Sequence, residues 1–166
     1  MSIAQAELEA LAGEVGRRLL ARGEELAAAE SCTGGWVAQA VTAVAGSSAW
    51  FDRGFVTYSN EAKHDFLGVK TQTLDTFGAV SKETALAMAT GAVKKAKTDL
   101  AVSITGIAGP GGATPGKPVG LVHFAAAARD GRIIHREKRF GAVGRSAVPT
   151  WARAPIHCSS RSPPRR

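Results

Sequence analysis

LAAAESCTGGW, residues 26–36, predicts a buried strand, a tight turn and the beginning of a helix. The apolar run at 26–29 has the length of a buried strand, and apolar residues recur at helical spacing over 36–44. A strand that turns into a helix puts its turn at the carboxyl end of a sheet, where open α/β sheets bind their ligands. The polar residues of this turn are therefore candidates for function.

The rest of the chain alternates predicted helices and strands before ending in a hairpin. The predicted elements are a helix over 3–21, a strand over 50–58, a helix over 60–67 capped by Ser59 or Asn60, a helix that begins after an N-cap at Ser81, a strand over 100–104 and two strands over 121–128 and 132–140. Asp130-Gly131 predicts a two-residue hairpin turn between the last two strands. This order indicates an α/β sandwich with a mixed sheet.

Composition bounds the class of protein. The chain has 166 residues, of which 45% are hydrophobic and 21% charged, as in one ordinary soluble domain. It has no long apolar run and no basic start of a signal peptide, so we expect a cytoplasmic protein with no membrane partner. Two distant cysteines predict no disulfide framework, and the four histidines lack the spacing of metal ligands. We expect neither a metal nor a cofactor.

Most of the net charge of +7 lies in the C-terminal tail. Residues 145–166 hold five arginines and no acidic residue, which leaves 16 basic and 14 acidic residues in the rest of the chain. The body has no basic stripe interleaved with aromatic residues, so we expect no nucleic-acid partner. The tail holds four of the seven prolines and has no periodic apolar face. We predict a domain over 1–148 and an atypical Pro/Arg-rich tail over 149–166.

Three side chains of the turn, Ser31, Cys32 and Thr33, could attack an electrophile. The N–H groups of the following helix and the two glycines, Gly34 and Gly35, would suit an oxyanion or a phosphate. The alternative is that Ser31 or Thr33 only caps the helix, and the segment alone favours this interpretation. Cys32 is intrinsically the better nucleophile, but a lone cysteine is more often a buried apolar residue.

Two further polar segments follow predicted strands. In TYSNEAKH, residues 57–64, Lys63 lies about one turn into a helix, and burial could make it a base for a serine, with Tyr58 as a relay. A lysine at such a position is otherwise an exposed charge. The glycines of SITGIAGPGG, residues 103–112, can form an anion-binding nest or a flexible connection. Three such segments at strand ends predict one shared site.

Four blocks of the sequence resemble the CinA C-terminal domain family, also called nicotinamide-nucleotide amidohydrolase. The blocks are AESCTGG, FVTYSNEAKHDFLGV, FGAVSKETA and SITGIAGPGG with the later KPVGLV, and they keep their order over about residues 5–146. The resemblance implies a three-layer α/β/α fold, often dimeric, so a homodimer is expected. It also implies hydrolysis of the carboxamide of nicotinamide mononucleotide, without a metal, to nicotinate mononucleotide and ammonia.

The same resemblance assigns roles to residues of this chain. The serine of ESCTGG, Ser31, is the implied nucleophile, and the lysine of NEAK, Lys63, is its partner; Tyr58 and Thr105 match polar positions near the pair. We expect the oxyanion at N–H groups of the 33–35 turn or of Thr105 and Gly106, and the phosphate at one of the two glycine-rich turns. The predicted substrate-binding residues are Thr33, Gly34, Gly35, Asn60, Gly106, Gly109, Gly111 and Gly112.

The chain departs from the family pattern at both ends. Some relatives carry a large N-terminal domain, whereas this chain begins at the amidohydrolase part, which indicates a stand-alone form. Relatives also continue after a GxR stretch into a final amphipathic helix, where this chain has the Pro/Arg-rich tail. We predict a frameshift near Val148. Alternative functions are a regulatory domain that binds the nucleotide without turnover, a DNA-binding protein that uses the tail, and an amidase for another small amide.

Overall fold

The computed structural model of the chain describes residues 3–141, with side chains from residue 5. The predicted Pro/Arg-rich tail over 149–166 and the predicted frameshift near Val148 lie outside these residues. The described part contains α1 (Ile3–Arg22), β1 (Leu26–Glu30), α2 (Trp36–Thr42), a 3-10 turn (Ser47–Ala49), β2 (Phe51–Val56), α3 (Asn60–Leu67), α4 (Thr71–Phe77), α5 (Lys82–Ala96), β3 (Leu100–Gly106), β4 (Leu121–Ala128) and β5 (Ile133–Arg139). None of the described helices has the length and apolar character that a membrane crossing requires.

One five-stranded mixed sheet runs through the domain in the order β2-β1-β3-β4-β5. The strand β1 is parallel to both β2 and β3, whereas β4 is antiparallel to β3 and β5. The parallel connections cross over through helices, and the antiparallel strands are joined directly, as the alternation followed by a hairpin predicts. The predicted α/β fold with a mixed sheet is confirmed.

Helices cover both faces of the sheet, which makes three layers. Odd-numbered residues of β1, β3 and β4 pack against α5 and against the ends of α3 and α4. Even-numbered residues of β1 and β3 face α1, α2 and Trp50 on the other side. Small side chains dominate the α5 face, namely Ala27, Ala29, Ala101, Ala125 and Ala127, each at most 5% exposed. This stripe of alanines lets α5 lie close to the sheet.

Local structure differs from the sequence predictions at two places. The helix α4 was not predicted, because TQTLDTF buries only Leu74 and has a weak apolar period. The predicted two-residue turn at Asp130-Gly131 is wrong. Ala128 pairs with Arg132 across a three-residue loop, in which the N–H of Gly131 donates to Ala128 O (3.0 Å). Gly131 has a φ of +92°, and this turn needs such a residue at its third position.

Candidate active site

The carboxyl ends of the three parallel strands meet at one edge of the sheet. The N–H of Ser31 donates to Ile104 O of β3 (3.0 Å), and the N–H of Thr57, just after β2, donates to Glu30 O of β1 (2.7 Å). These backbone bonds hold the residues that follow β1 and β2 next to the end of β3. The polar segments at 31–35, 57–63 and 105–112 therefore share this edge, as the sequence predicts.

Ser31 and Lys63 form the central contact of the site. The Lys63 Nζ lies 3.0 Å from the Ser31 Oγ, and both side chains are buried, with 1% and 8% of their surface exposed. Lys63 is placed by α3, whose N-cap, Ser59, accepts a hydrogen bond from the Ala62 N–H through its Oγ (3.0 Å). The amino group thus enters the site from a capped helix that packs beside the sheet.

Lys63 is buried among backbone carbonyl oxygens. Its Nζ donates to the carbonyl oxygens of Thr57 (2.8 Å) and Tyr58 (3.2 Å), and no carboxylate of the described residues forms an ion pair with it. Burial lowers the pKa of Lys63 below that of a free lysine, and the negative charge of a Cys32 thiolate would act in the opposite direction. A buried, neutral amine within hydrogen-bond distance of a hydroxyl can accept its proton.

Glu30 is a buried acid at this edge that the sequence analysis did not single out. Its side chain is fully buried, and its carboxylate accepts hydrogen bonds from the N–H groups of Gly35 (3.1 Å), Val37 (3.0 Å) and Ala38 (2.8 Å). A carboxylate at a helix N-terminus also matches the positive end of the helix dipole. The signal in the sequence is a charged residue at the end of an apolar strand, since a buried charge requires partners.

The prediction that Ser31 or Thr33 caps α2 is wrong, because Glu30 takes that role from the preceding strand. Gly35 occupies the N-cap position with a φ of +103° and has no side chain that could cap the helix. The Thr33 Oγ1 is buried and has no hydrogen-bond partner among the described residues. The turn is therefore shaped by the glycine backbone and by Glu30, and the Ser31 hydroxyl remains available to Lys63.

The N–H groups of residues 34–38 are already bonded within the turn and to Glu30, whereas the Thr33 N–H donates to no described residue. The N–H of Gly34 donates to Ser31 O (3.1 Å) and that of Trp36 to Thr33 O (3.2 Å), while those of Gly35, Val37 and Ala38 donate to Glu30. The predicted use of Gly34 and Gly35 as anion donors would require these bonds to break. The first turn of α2 thus has little capacity to bind an oxyanion or a phosphate.

At the end of β3, the Gly106 N–H is placed to face the Ser31 side of the sheet. The N–H of Ile107 donates to Leu121 O of β4 (2.9 Å), and successive N–H groups of a strand point in opposite directions. The N–H of Gly106 therefore points toward the β1 side, two residues beyond Ile104, where the pairing with β1 ends. A Cβ at Gly106 would lie 2.7 Å from Leu121 O, so this position requires glycine.

The comparisons with known proteins agree with this architecture. A model of the CinA C-terminal domain matches residues 8–153. The chain belongs to the CinA C-terminal domain family. The nicotinamide-nucleotide amidohydrolase PncC of Escherichia coli K12 is 54% identical over 148 residues, 89% of each chain, and that of Shigella flexneri is 58% identical over 132 residues, 79% of this chain and 80% of the relative. The resemblance deduced from the four sequence blocks is confirmed.

Solved structures of CinA proteins have the same fold. The competence/damage inducible protein CihA from Agrobacterium tumefaciens is 52% identical and superposes with a TM-score of 0.86 over 90% of each chain. A CinA superfamily protein from Klebsiella pneumoniae is 42% identical, with a TM-score of 0.82 over 87% of this chain and 89% of that one. Sequence and structure thus assign the chain to the same family.

The other predicted site residues of this CinA domain have different settings. Thr105 is fully buried, and its Oγ1 donates to Ala79 O (2.7 Å), so the hydroxyl fastens the segment before α5 to the sheet. Tyr58 is 61% exposed, and its backbone carbonyl oxygen accepts a hydrogen bond from the Lys63 Nζ. Asn60 is exposed at the start of α3. Gly109, Gly111 and Gly112 lie in the loop that follows β3.

Proposed function

We propose that this chain hydrolyses the carboxamide of nicotinamide mononucleotide to nicotinate mononucleotide and ammonia, with Ser31 as nucleophile and Lys63 as base. The 3.0 Å contact between the Ser31 Oγ and the Lys63 Nζ carries the proposal, because hydrolysis of an amide requires an activated nucleophile. Support for the substrate comes from relatives that are 51–58% identical and carry the name nicotinamide-nucleotide amidohydrolase. A cytoplasmic location and a homodimer remain predictions from the sequence.

In the first step, neutral Lys63 takes the proton of Ser31 while the Oγ attacks the carboxamide carbon. A C–O bond forms, and the electron pair of the carbonyl moves to its oxygen. The N–H of Gly106 points to the side of the sheet where Ser31 lies, so we assign it as a donor to this oxyanion. The alternative donors, Gly34 and Gly35, would first have to give up their bonds to Ser31 O and Glu30.

Protonated Lys63 then gives its proton to the carboxamide nitrogen, the C–N bond breaks, and ammonia leaves. The nicotinoyl group remains as an ester on Ser31. A water molecule attacks this ester with Lys63 again as the base, which releases nicotinate mononucleotide and restores the serine. The fall in the pKa of Lys63 on burial serves both halves of the cycle, because the same group must accept and return a proton near neutral pH.

Ammonia release from nicotinamide mononucleotide tests this assignment. We expect Ser31→Ala and Lys63→Met to lose at least ~10³-fold in kcat, as is typical when a nucleophile or its base is removed. Cys32→Ala is the matched control, since it changes the neighbouring nucleophile, which packs against the apolar cluster around Ile104. It should retain activity within a few-fold.

The outcomes separate the candidate functions. A Ser31→Ala variant with normal turnover contradicts the proposed mechanism. A wild-type protein that binds the mononucleotide and releases no ammonia contradicts the enzymatic function and favours a regulatory nucleotide-binding domain.

A further inference from the structure

The substrate of the proposed reaction carries a phosphate far from its carboxamide, and the sequence offers two glycine-rich turns for it. The first turn, 33–35, precedes α2. The N–H groups of Gly34, Gly35 and the following residues are used by Ser31 O, Thr33 O and the Glu30 carboxylate, whereas the Thr33 N–H donates to no described residue. The Glu30 carboxylate also puts a negative charge at this helix N-terminus, and that charge repels a phosphate. Of its three residues, the first turn therefore offers a phosphate only the Thr33 N–H, and it does so beside a negative charge.

The second turn, the loop from Ile107 to Gly120, has the opposite character. It contains no acidic residue, and Lys117 is its single charged side chain. The N–H groups of Gly111 and Gly112 donate to no other residue within the described range, and Gly112 has a φ of +92°. Both glycines are exposed, so a ligand can approach their backbone. This loop offers a cation and open N–H groups, the groups that bind phosphate.

Lys117 is held in place by a contact with α4. Its half-buried side chain reaches across to α4, where the Nζ donates to Phe77 O (2.6 Å). One hydrogen of the ammonium is used by this bond, and two remain for a ligand. The bond also fastens the loop to the segment that precedes α5, so the ammonium is positioned rather than free to move with solvent.

A series of contacts links Lys117 to the strand beside Ser31. Thr105 lies beside Ser31 on the neighbouring strand, about 5 Å away. The Thr105 Oγ1 contacts Ala79 O, and Phe77 O, two residues earlier, contacts the Lys117 Nζ. These contacts limit the separation of the ammonium from Ser31 to at most about 20 Å. Ordinary bond lengths give about 10 Å between the carboxamide carbon and the phosphorus of the substrate, which lies within this limit.

We propose that the phosphate of the substrate binds at the loop after β3, to the Lys117 ammonium and the N–H groups of Gly111 and Gly112. This inference rests on the proposed function and names its phosphate subsite. It also explains how α2 can be capped by a buried carboxylate in an enzyme for an anionic substrate, because the phosphate would bind at a loop other than the turn before α2. Lys117 would then determine the preference for nucleotides over nucleosides.

The test compares two substrates that differ only in the phosphate. Ammonia release is measured from nicotinamide mononucleotide and from nicotinamide riboside with the wild type, Lys117→Met, Lys117→Arg and Lys95→Met. Lys95 is an exposed lysine of α5, so its replacement controls for the loss of one positive charge. We expect Lys117→Met to lower kcat/KM for the mononucleotide 10- to 100-fold, mainly through KM, and to leave the riboside within two-fold. Lys117→Arg should restore most of the preference for phosphate, and Lys95→Met should change neither substrate.

Other outcomes have different meanings. An equal loss for both substrates in Lys117→Met, or no loss for either, overturns the phosphate subsite, since the lysine would then only fasten the loop or have no role. If the riboside is too slow to measure, failure of Lys117→Arg to recover the mononucleotide activity overturns it. A wild type that releases no ammonia from the mononucleotide contradicts the proposed function itself.

Discussion

Ser31 and Lys63 are 32 residues apart in the chain and meet at 3.0 Å. They meet because the parallel strands end, and the helices that follow them begin, at the same edge of the sheet. Lys63 has no carboxylate partner among the described residues, and besides the Ser31 hydroxyl its Nζ contacts backbone carbonyl oxygens. Desolvation therefore dominates and lowers the pKa of the amine. A lysine in this setting can act as a base, whereas an exposed lysine remains charged at neutral pH.

The pH dependence of turnover should report this amine. Because the neutral amine is the active form, kcat/KM should rise with pH, with an apparent pKa below the ~10.4 of a free lysine. Lys63→Arg keeps the positive charge but cannot be deprotonated, so it should lose at least ~10³-fold at every pH. A pH–rate profile of ammonia release checks both expectations. An active Lys63→Arg variant would show that the base is another group.

Glu30 holds the turn that follows Ser31 by accepting hydrogen bonds from the N–H groups of residues 35, 37 and 38. We expect Glu30→Gln to lose about 1–3 kcal/mol of unfolding free energy, because an amide cannot accept all three N–H bonds and turns a donor toward them. The turn that carries Ser31 should shift as well, so kcat should fall more than KM rises. Urea unfolding and steady-state kinetics measure these effects.

The matched control is Glu61→Gln, an exposed acid in the first turn of α3, for which the expected change in stability is within about 0.5 kcal/mol. Equal stability of Glu30→Gln and the wild type would contradict the role of Glu30 as the cap of α2.

At the scale of elements, the close approach of α3 to α5 positions Lys63. Gly91 lies inside α5, where glycine is intrinsically unfavourable, and a Cβ there would be 2.0 Å from Leu67 O at the end of α3. The glycine is therefore required by the contact between the two helices. Gly13 in α1 is a different case, because its Cβ would meet only the tip of Arg17, at 3.8 Å.

The two glycines should respond to alanine with opposite signs. Gly91→Ala should destabilise the fold by about 2 kcal/mol or more, since the clash with backbone exceeds the gain in helix propensity. It should also lower kcat, because α3 would move with Lys63. Gly13→Ala should stabilise by roughly 0.5–1 kcal/mol. Chemical unfolding of both variants decides the point, and destabilisation by Gly13→Ala would refute the comparison.

At the scale of the molecule, two histidines couple stability to pH. His123 of β4 and His135 of β5 have stacked rings with centroids 5.2 Å apart, and the His123 Nδ1 lies 3.0 Å from the His135 Nε2. This bond requires a donor on one ring and an acceptor on the other, so protonation of both rings breaks it. Burial is the main cause that lowers the pKa of each histidine, and further charges act on the pair from Lys82, Glu83, Lys117, Arg136 and Glu137.

Stability should fall as the pH drops below the usual histidine pKa of about 6.5. In that range the unfolded chain takes up protons that the folded chain resists, so unfolding is favoured. His135→Gln removes one of the two groups and should reduce the loss of unfolding free energy between about pH 7.5 and 5.5 by roughly half. Urea unfolding at the two pH values measures this difference. An unchanged pH dependence in the variant would contradict a role for the pair.

The predictions from sequence succeed where a local signal exists. Apolar periodicity located β1, α5 and β4, and Ser81 and Ser59 cap the helices that follow them, because capping depends on residues three positions apart. The cap of α2 does not follow this three-residue spacing, so the sequence patterns did not predict it. Its carboxylate comes from the preceding strand, up to eight residues away, and the fold of the turn decides its partners.

Local sequence patterns determined the order of the elements apart from α4, the positions of the glycine turns and the family of this protein. They do so because periodicity, capping and turn chemistry act over a few residues. The Ser31–Lys63 contact, the burial that lowers the pKa of the lysine and the occupation of the α2 N–H groups by Glu30 were decided only in the tertiary structure. These properties depend on strand order and on the exclusion of water, which bring together residues that lie far apart along the chain.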